Sequence, residues 1–263
     1  MMNLVTYRAI FEGFQAHLWT RNSGRLLWMT HPSWPSNMWQ IYSSDYDTAG
    51  AYYAVKAACE PLHAQLNLPD FALAVVNTTR EPLAGLKLRS RILSLDNRLL
   101  LQRSDTVMVG ANSVATLQPL ALPKLLEQEG IVLVELSLVD AKGNRLSRSI
   151  YWQGRDDSSL RKLNGLAPQP VSIAAHAEGA HAADNIVAVE LSNRGTQPAL
   201  ASKLTVVDEH GNRVLPVFYS NNYVSLLPGE SERVEIRCPE HGARCDRVEL
   251  RGWDVQPATV VIH

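Results

Sequence analysis

Three cysteines and one nearby histidine are the residues best suited to metal or redox chemistry in this sequence. Cys238 and Cys245 lie seven residues apart with His241 between them, whereas Cys59 is distant in the chain. Structural zinc needs four ligands and this segment offers three, so the spacing is not that of a zinc site. The two nearby cysteines could close one loop as a disulfide or remain thiols. We predict no metal site and no cofactor.

Carboxylates are the second group of residues that could do chemistry, as a general acid and base or as a nucleophile. Glu12 is predicted on the polar side of a helix, and Asp45 and Asp47 precede a second helix, where a carboxylate stabilises the N-terminus. Glu60 adjoins a proline. The pattern pairs none of the four with another across a pocket, so we predict no catalytic residue in this chain.

Aromatic side chains accompany a Pro-rich loop over residues 30–39. Trp34 and Trp39 lie in this loop with His31, and its two prolines exclude a regular helix or strand. Trp28 precedes the loop in a short apolar run. An aromatic plane can stack on the C–H face of a sugar, and a histidine can bond a sugar hydroxyl. The alternative role of Trp28 is packing in a core.

The elements that must position this loop are predicted on either side of it. Apolar residues at helical spacing predict an amphipathic helix over residues 7–19, and the short apolar run 26–29 predicts a buried strand. Asp47 and Thr48 can cap a second helix over residues 49–59, which Pro61 ends. The predicted order is helix, strand, loop, helix.

The chain beyond Phe71 has the pattern of antiparallel β-sandwiches, with short β-rich runs separated by turns about every ten residues. Alternation over residues 132–139 predicts the clearest strand, with one face in a core. A weak internal repeat of about 115 residues aligns two segments that each consist of a strand, a polar turn with an asparagine (Asn77 or Asn193), a second strand and an Asp-Asn-Arg turn. The repeat predicts two similar sandwiches.

Length, composition and charge restrict the class of protein. The chain has 263 residues, of which 46% are hydrophobic and 19% charged, which allows one to three folded domains. A net charge of −1 gives no field that would attract nucleic acid or anionic lipid. No apolar run approaches the ~18–20 residues of a membrane span, and the first residues lack the pattern of a signal peptide.

The most specific motifs lie between residues 24 and 79. They are Gly24-Arg25-Leu26-Leu27-Trp28-Met29, Pro32-Ser33-Trp34-Pro35, Trp39-Gln40, Ala51-Tyr52-Tyr53-Ala54-Val55-Lys56, Glu60-Pro61-Leu62-His63, Gln65-Leu66-Asn67 and Val75-Val76-Asn77-Thr78-Thr79. This series resembles family 2 glycoside hydrolases, in the branch of β-mannosidases, exo-β-glucosaminidases and glycoprotein endo-β-mannosidases. Where relatives commonly carry an asparagine, this sequence has His31.

The resemblance implies a mainly β fold with two immunoglobulin-like β-sandwiches, preceded by a short α/β remnant of a (β/α)8 barrel. The implied divisions are a C-terminal barrel edge over 1–62, a first sandwich over 63–153, a linker over 154–169 and a second sandwich over 170–263. Residues 26–29 would be the eighth barrel strand. The following loop would place Trp28, His31, Trp34 and Trp39 at the sugar pocket.

The same resemblance implies a C-terminal or accessory portion of a retaining β-glycosidase that acts on β-mannosides or β-glucosaminides. Such enzymes need two carboxylates ~5–5.5 Å apart, and the family places both on earlier barrel strands. We therefore expect no catalysis by this chain alone. Its expected partners are carbohydrate and the missing barrel portion, with no nucleic acid and no membrane. Relatives are often exported, but no signal is seen here, so localisation stays open.

An alternative is a carbohydrate-binding or protein-interaction module built of immunoglobulin-like sandwiches. A carbohydrate-binding sandwich would need aromatic side chains on an exposed face. Phe218, Tyr219 and Tyr223 form the local aromatic cluster of the sandwiches. A protein-interaction role would leave the barrel-like residues 1–62 unexplained.

Overall fold

The chain divides into two compact units, each built on one β-sandwich. A computed structural model describes residues 2–36, 39–181, 184–239 and 244–263. The first-sandwich unit comprises Met2–Trp28 and Ala54–Gly165, and the second-sandwich unit comprises Met29–Tyr53 and Leu166–His263. Strands make up most of the regular structure in both units, which confirms the mainly β prediction.

Helices are few and short. Their bounds are α1 (Met2–Ala16), α2 (Gly50–Ala58), α3 (Leu122–Glu129), α4 (Asp157–Leu160) and a 3-10 helix (Arg161–Gly165). The second predicted helix is confirmed nearly to the residue, whereas the first begins and ends earlier than residues 7–19. Phe11 of α1 is buried as predicted, but Ile10 and Phe14 are exposed. None of the described helices is long and apolar enough to cross a membrane.

The first sandwich consists of two antiparallel sheets. Its strands are β1 (Leu62–Leu66), β2 (Ala72–Asn77), β3 (Leu83–Leu93), β4 (Leu99–Val109), β5 (Ser113–Pro119), β6 (Ile131–Val139) and β7 (Arg145–Gly154). They form sheets of order β1-β2-β5 and β4-β3-β6-β7. The strand predicted over residues 132–139 is confirmed as β6, whose Val132, Val134, Leu136 and Leu138 lie in the core.

At one edge of the sandwich, side chains of β7 bond to the backbone of β1, and the two strands do not pair as neighbours in a sheet. Ser147, Ser149 and Tyr151 alternate along β7, so they point to the same face. The backbone N–H of Ala64 donates to Ser147 Oγ at 3.1 Å, and Ser149 Oγ donates to the Ala64 carbonyl at 3.0 Å. The Leu66 N–H donates to the Tyr151 hydroxyl at 3.2 Å. Side chains thus satisfy the buried backbone edge of β1.

The second sandwich repeats this topology. Its strands are β8 (Val171–His181), β9 (Asp184–Asn193), β10 (Ala199–Val207), β11 (Phe218–Tyr219), β12 (Val224–Leu226), β13 (Ser231–Pro239), β14 (Arg247–Arg251) and β15 (Ala258–Val261). The sheet orders are β11-β13-β9-β8 and β12-β10-β14-β15. Apart from the extra strand β11, each strand matches one in the first sandwich, so the repeat read from the sequence corresponds to two sandwiches of the same topology.

The repeat extends to hydrogen bonds at the end of one strand in each unit. Asn77 is fully buried, and its Nδ2 donates to the carbonyls of Glu81 at 2.8 Å and Gly110 at 2.9 Å. Its Oδ1 accepts from the N–H of Thr79 at 3.0 Å. The asparagine therefore joins three separate backbone groups.

Asn193 makes the equivalent bonds in the second-sandwich unit. Its Nδ2 donates to the carbonyls of Gln197 and Leu226, both at 2.9 Å, and its Oδ1 accepts from the N–H of Gly195 at 2.9 Å. In both units the partners lie two, four and 33 residues further along the chain.

A buried carboxylate, Asp254, lies between strands β14 and β15 of the second sandwich. Asp254 is almost wholly buried, and its Oδ1 accepts from the Leu200 N–H at 2.7 Å. Its Oδ2 has no hydrogen-bond partner among the described residues. Burial raises the pKa of Asp254 to about 6, and the bond from Leu200 only partly opposes this effect.

We expect the second-sandwich unit to become more stable as the pH falls from 8 to 5. The raised pKa of Asp254 means that its stabilising contribution is complete below the unfolded value near 3.9 and is lost as pH rises through 6. The change between pH 8 and 5 is about 1 kcal/mol. Asp254→Asn should remove most of this pH dependence of the free energy of unfolding, which is measured in urea with amide hydrogen exchange as the probe. Glu249→Gln, on the partly exposed face of β14, is the control, and an equal flattening there would contradict the assignment to Asp254.

The strand expected over residues 26–29 is not formed. Leu26 is fully exposed at 101%, and this segment has no strand pairing within the described part of the chain. A strand needs a neighbour for its backbone groups, and an apolar run by itself does not supply one. The segment 154–169, expected as a linker, contains α4 and the 3-10 helix, and the boundary between the units falls after Gly165.

Candidate functional site

The three predicted tryptophans of the sugar site are exposed. Trp28 is 85% exposed and lies in the first-sandwich unit, so packing in the described core does not explain it. Trp34 and Trp39, at 57% and 49%, belong to the loop carried by the second-sandwich unit. Large indole rings left in solvent are available for stacking on a ligand or a partner.

His31 is held in a fixed orientation in the same loop. Its ring stacks on Tyr46 with 4.2 Å between centroids and 11° between planes. Its Nε2 lies 3.2 Å from the Ser44 carbonyl oxygen. A carbonyl only accepts, so Nε2 carries the proton and Nδ1 remains for another partner. Tyr46 occupies the left-handed region, with φ of 64°.

The end of the loop is anchored to the second sandwich by charged side chains. Asp47 Oδ2 lies 3.1 Å from Lys203 Nζ and 3.1 Å from Arg213 Nη1. Arg213 Nη2 also donates to Asp45 Oδ2, and Asp45 Oδ1 accepts from the Ser43 hydroxyl. The bond from Ser43, with help from Arg213, holds the pKa of the Asp45 carboxyl below its usual value even though partial burial opposes the shift.

A cleft of about 350 Å³ opens at this network. Besides the four charged residues it is lined by Tyr223 and by Pro35, Ser36, Ser43, Ser44 and Ala49 of the loop. Lys203 Nζ lies 5.8 Å from the centroid of the Tyr223 ring. Sequence reasoning found the loop but missed Lys203 and Arg213, since no local pattern relates residues more than 150 positions apart. It grouped Tyr223 with Phe218 and Tyr219 and not with this loop.

The first-sandwich unit holds a second polar cluster, around Glu12. This residue was predicted on the polar side of the helix, which is wrong: it is only 3% exposed. Glu12 Oε1 accepts from the Tyr151 hydroxyl at 2.8 Å and lies 2.9 Å from His63 Nε2. A signal was present, because Glu12 lies eight residues after the buried Leu4, two helical turns away on the same face.

The electrostatics of this cluster favour the protonated form of His63. Burial lowers the pKa of His63, but the hydrogen bonds and charges of Glu12 and Glu60 outweigh burial and raise it above the usual value. Burial and the charge of Glu12 raise the pKa of Tyr151, so its hydroxyl stays protonated and donates. These contacts tie α1 to β1 and β7. They make Glu12 a structural residue rather than an accessible acid.

Two of the three cysteines are bonded to each other. Cys238 and Cys245 form a disulfide with 6.5 Å between their Cα atoms, so the open alternative resolves in favour of a bridge. His241 lies outside the described residues. Within the described residues no group of three or more His, Cys, Asp or Glu side chains could hold a metal ion.

Two family models match the chain. Residues 70–154 match the mannosidase immunoglobulin/carbohydrate-binding-module-like domain, and residues 149–255 match the exo-β-D-glucosaminidase immunoglobulin-fold domain. These matches correspond to the first and second sandwiches.

Individual relatives are similar over nearly the whole chain. An exo-β-D-glucosaminidase of Streptomyces avermitilis is 31% identical over 90% of this chain and 29% of its own length. A mannosylglycoprotein endo-β-mannosidase of Lilium longiflorum is 26% identical over 97% of this chain and 33% of its own. The crystal structure of an Amycolatopsis orientalis exo-chitosanase matches with a TM-score of 0.90 and 28% identity, over 98% of this chain and 33% of that one.

The chain therefore spans about one third of the relatives that it matches. Its two sandwiches are similar to the immunoglobulin-like domains of the exo-β-glucosaminidase and mannosidase families, and the chain aligns with the C-terminal part of larger glycoside hydrolases.

Proposed function

We propose that this chain is the C-terminal, accessory portion of a family 2 glycoside hydrolase that acts on β-glucosaminides or β-mannosides. The observation that carries the proposal is coverage: similarity extends over at least 90% of this chain but only about a third of each relative. The relatives' names supply the substrate class, since they include exo-β-D-glucosaminidases and an endo-β-mannosidase. Catalysis in this proposal belongs to the remaining two thirds.

The partner of this chain would be that catalytic portion. Six large apolar side chains are exposed between residues 2 and 28, and exposed apolar side chains that cluster in this way mark protein–protein interfaces. They are Val5, Ile10, Phe14, Trp19, Leu26 and Trp28. We propose that residues 1–62 complete the edge of a (β/α)8 barrel and that residues 26–29 become its last strand once neighbouring strands pair with them.

The sugar contacts of the assembled enzyme would include Trp28, His31, Trp34 and Trp39. Support comes from the exposure of the three indole rings and from the fixed orientation of the imidazole. Indole rings stack on sugar C–H faces, and the free Nδ1 of His31 can accept a bond from a hydroxyl.

We expect the purified chain to hydrolyse neither aryl β-glucosaminides nor aryl β-mannosides. Retaining hydrolysis needs a nucleophile and an acid/base whose pKa is raised. Glu12 is buried and bonded to Tyr151 and His63, and the pKa of Asp45 is lowered rather than raised. Release of nitrophenol above a mock preparation, lost in Glu12→Gln or Asp45→Asn, would refute this expectation.

Adding the separately produced catalytic portion of a close relative should restore hydrolysis if the proposal is right. In the reconstituted enzyme Trp34→Ala should lower kcat/KM about 10-fold through the loss of stacking, without weakening assembly. Trp253→Ala is the matched control, because this tryptophan is similarly exposed in the same unit but lies outside the loop. Failure of the two parts to associate would count against the accessory role.

The alternative of a carbohydrate-binding face formed by Phe218, Tyr219 and Tyr223 loses its geometric basis. Tyr219 is buried, and its hydroxyl accepts from the Val206 N–H at 3.0 Å. Phe218 is exposed and Tyr223 is half-buried, so the three rings do not share an exposed surface.

A further inference from the structure

The cleft beside Asp47 has the composition of a ligand site and is not used by the proposed function. Its volume of about 350 Å³ lies within the ~300–1,000 Å³ of small-molecule sites. All of its lining residues belong to the second-sandwich unit. None of them is among the four residues proposed to contact sugar in the assembled enzyme.

The charges of the cleft balance. Asp45 and Asp47 carry two negative charges, and Lys203 and Arg213 carry two positive charges, within one network of ion pairs. An anionic or cationic ligand would have to displace an existing partner, so it would gain little net Coulomb attraction. An uncharged ligand needs no such exchange.

The same groups keep hydrogen-bonding capacity for an uncharged ligand. A carboxylate accepts at about four positions, whereas the ion pairs of Asp47 occupy only Oδ2. Arg213 uses two of its five N–H donors on the aspartates. Ser36 adds a hydroxyl, and the Ser43 oxygen, whose proton is donated to Asp45, can still accept. Donors and acceptors side by side suit neighbouring hydroxyls, each of which must donate and accept.

The cleft also has an apolar side. The Tyr223 ring, Pro35 and Ala49 line it together with the charged network. A hexose ring has C–H faces that pack on an aromatic or aliphatic surface while its hydroxyls bond at the edge. A small aliphatic polyol has no such face.

We propose that this cleft is a saccharide-binding subsite for an uncharged, β-linked hexose or N-acetylhexosamine unit. Vicinal hydroxyls bond to the Asp47–Arg213 pair, and one sugar face packs on Tyr223. All of the groups that contact the sugar in this proposal belong to this chain.

Titration of the full chain with neutral N,N′-diacetylchitobiose and β-1,4-mannobiose tests the proposal. Binding, measured by NMR or calorimetry, should saturate for at least one of the two sugars. Its affinity should change little with added salt, because both sugars are uncharged. Arg213→Gln should weaken it about 10-fold, the value of a lost hydrogen bond to a charged group. Arg233→Gln, which removes another paired arginine of the same unit, should leave it unchanged.

A second variant separates blocked binding from a disturbed fold. Ser36→Phe fills the cleft from the loop without touching the ion pairs, and it should abolish binding while the thermal midpoint stays near the wild-type value. Saturable binding that survives both Arg213→Gln and Ser36→Phe would overturn the proposal. Binding restricted to a cationic glucosamine dimer or to a glucuronide, or no binding of either neutral sugar, would overturn it too. Reconstituted hydrolysis is a separate assay, so the accessory role can fail independently.

Discussion

Glu12→Ala is expected to lower the free energy of unfolding of the first-sandwich unit by about 3 kcal/mol. The substitution removes the acceptor of the buried Tyr151 hydroxyl and the partner of the buried His63 ring. Breaking a buried ion pair from one side typically costs ~3–5 kcal/mol, and here His63 can lower the cost by losing its proton. Hydrogen exchange of β6 amides in urea measures the change.

Glu60→Ala is the matched control for this prediction. Glu60 Oε2 lies 3.8 Å from Nδ1 of the same histidine, but its side chain is about half exposed. An exposed partner at this distance contributes at most ~1 kcal/mol. Equal losses for the two variants would mean that the charge near His63 matters and the buried hydrogen bonds do not.

Glu12→Gln should change the pKa of His63 and the pH dependence of unfolding, which a general loss of packing would leave unchanged. The pKa of His63 is raised in the folded protein, so its contribution to stability is complete below the unfolded value of about 6.5 and is lost as pH rises through the folded value. A neutral amide removes the charge that outweighs burial. The histidine titration in NMR should therefore move to lower pH, and the unit should lose this part of its pH dependence.

Strands and repeats were the most predictable part of this fold. Alternation over residues 132–139 depends on one face lying in a core, and β6 has that face. The aligned asparagines, Asn77 and Asn193, mark equivalent strand ends because each satisfies the same three backbone groups. Such features can be predicted because they depend on residues that are close together in the sequence or that recur at a fixed spacing.

The failures of sequence reasoning concern residues whose state depends on distant partners. The apolar run 26–29 has strand composition, but no neighbouring strand of the described chain pairs with it. A glutamate on a helix is usually solvated, and Glu12 is buried only because Tyr151 and His63 meet it from two strands. Helical spacing could have placed Glu12 on the face of Leu4, but neither spacing nor composition identifies the distant partners that a strand or a buried carboxylate needs.

The candidate site was half predictable for the same reason. The two prolines of residues 30–39 excluded a regular helix or strand and so identified the loop that carries Trp34 and Trp39, whereas Trp28 was expected on a buried strand and is exposed. The cleft needs Lys203 and Arg213 as well, and they reach Asp47 only after the second sandwich has folded. Both residues would otherwise be assigned to a solvated turn or strand face.

Asn193→Ala is expected to destabilise the second-sandwich unit by about 3 kcal/mol. Alanine leaves the carbonyls of Gln197 and Leu226 and the N–H of Gly195 without their partner. A buried backbone group left unsatisfied costs ~1–3 kcal/mol, and water can reach some of these three. Urea unfolding, read through hydrogen exchange of β9 amides, measures the loss.

The repeat supplies an internal test of this argument. Asn77→Ala removes the same three bonds in the first-sandwich unit and should cost a similar amount there while leaving β9 exchange unchanged. Asn212→Ala is the control, because its side chain is exposed and donates to Asp208 within a turn; it should cost less than ~0.5 kcal/mol. Asn193→Asp keeps the acceptor for Gly195 but sets a carboxylate oxygen against two carbonyls, so at neutral pH it should be at least as harmful as alanine. If Asn193→Asp were as stable as the wild type, the bonds from Asn193 Nδ2 to the two carbonyls would not stabilise the unit. The asparagine in both sandwiches would then matter for its size and not for its hydrogen bonds.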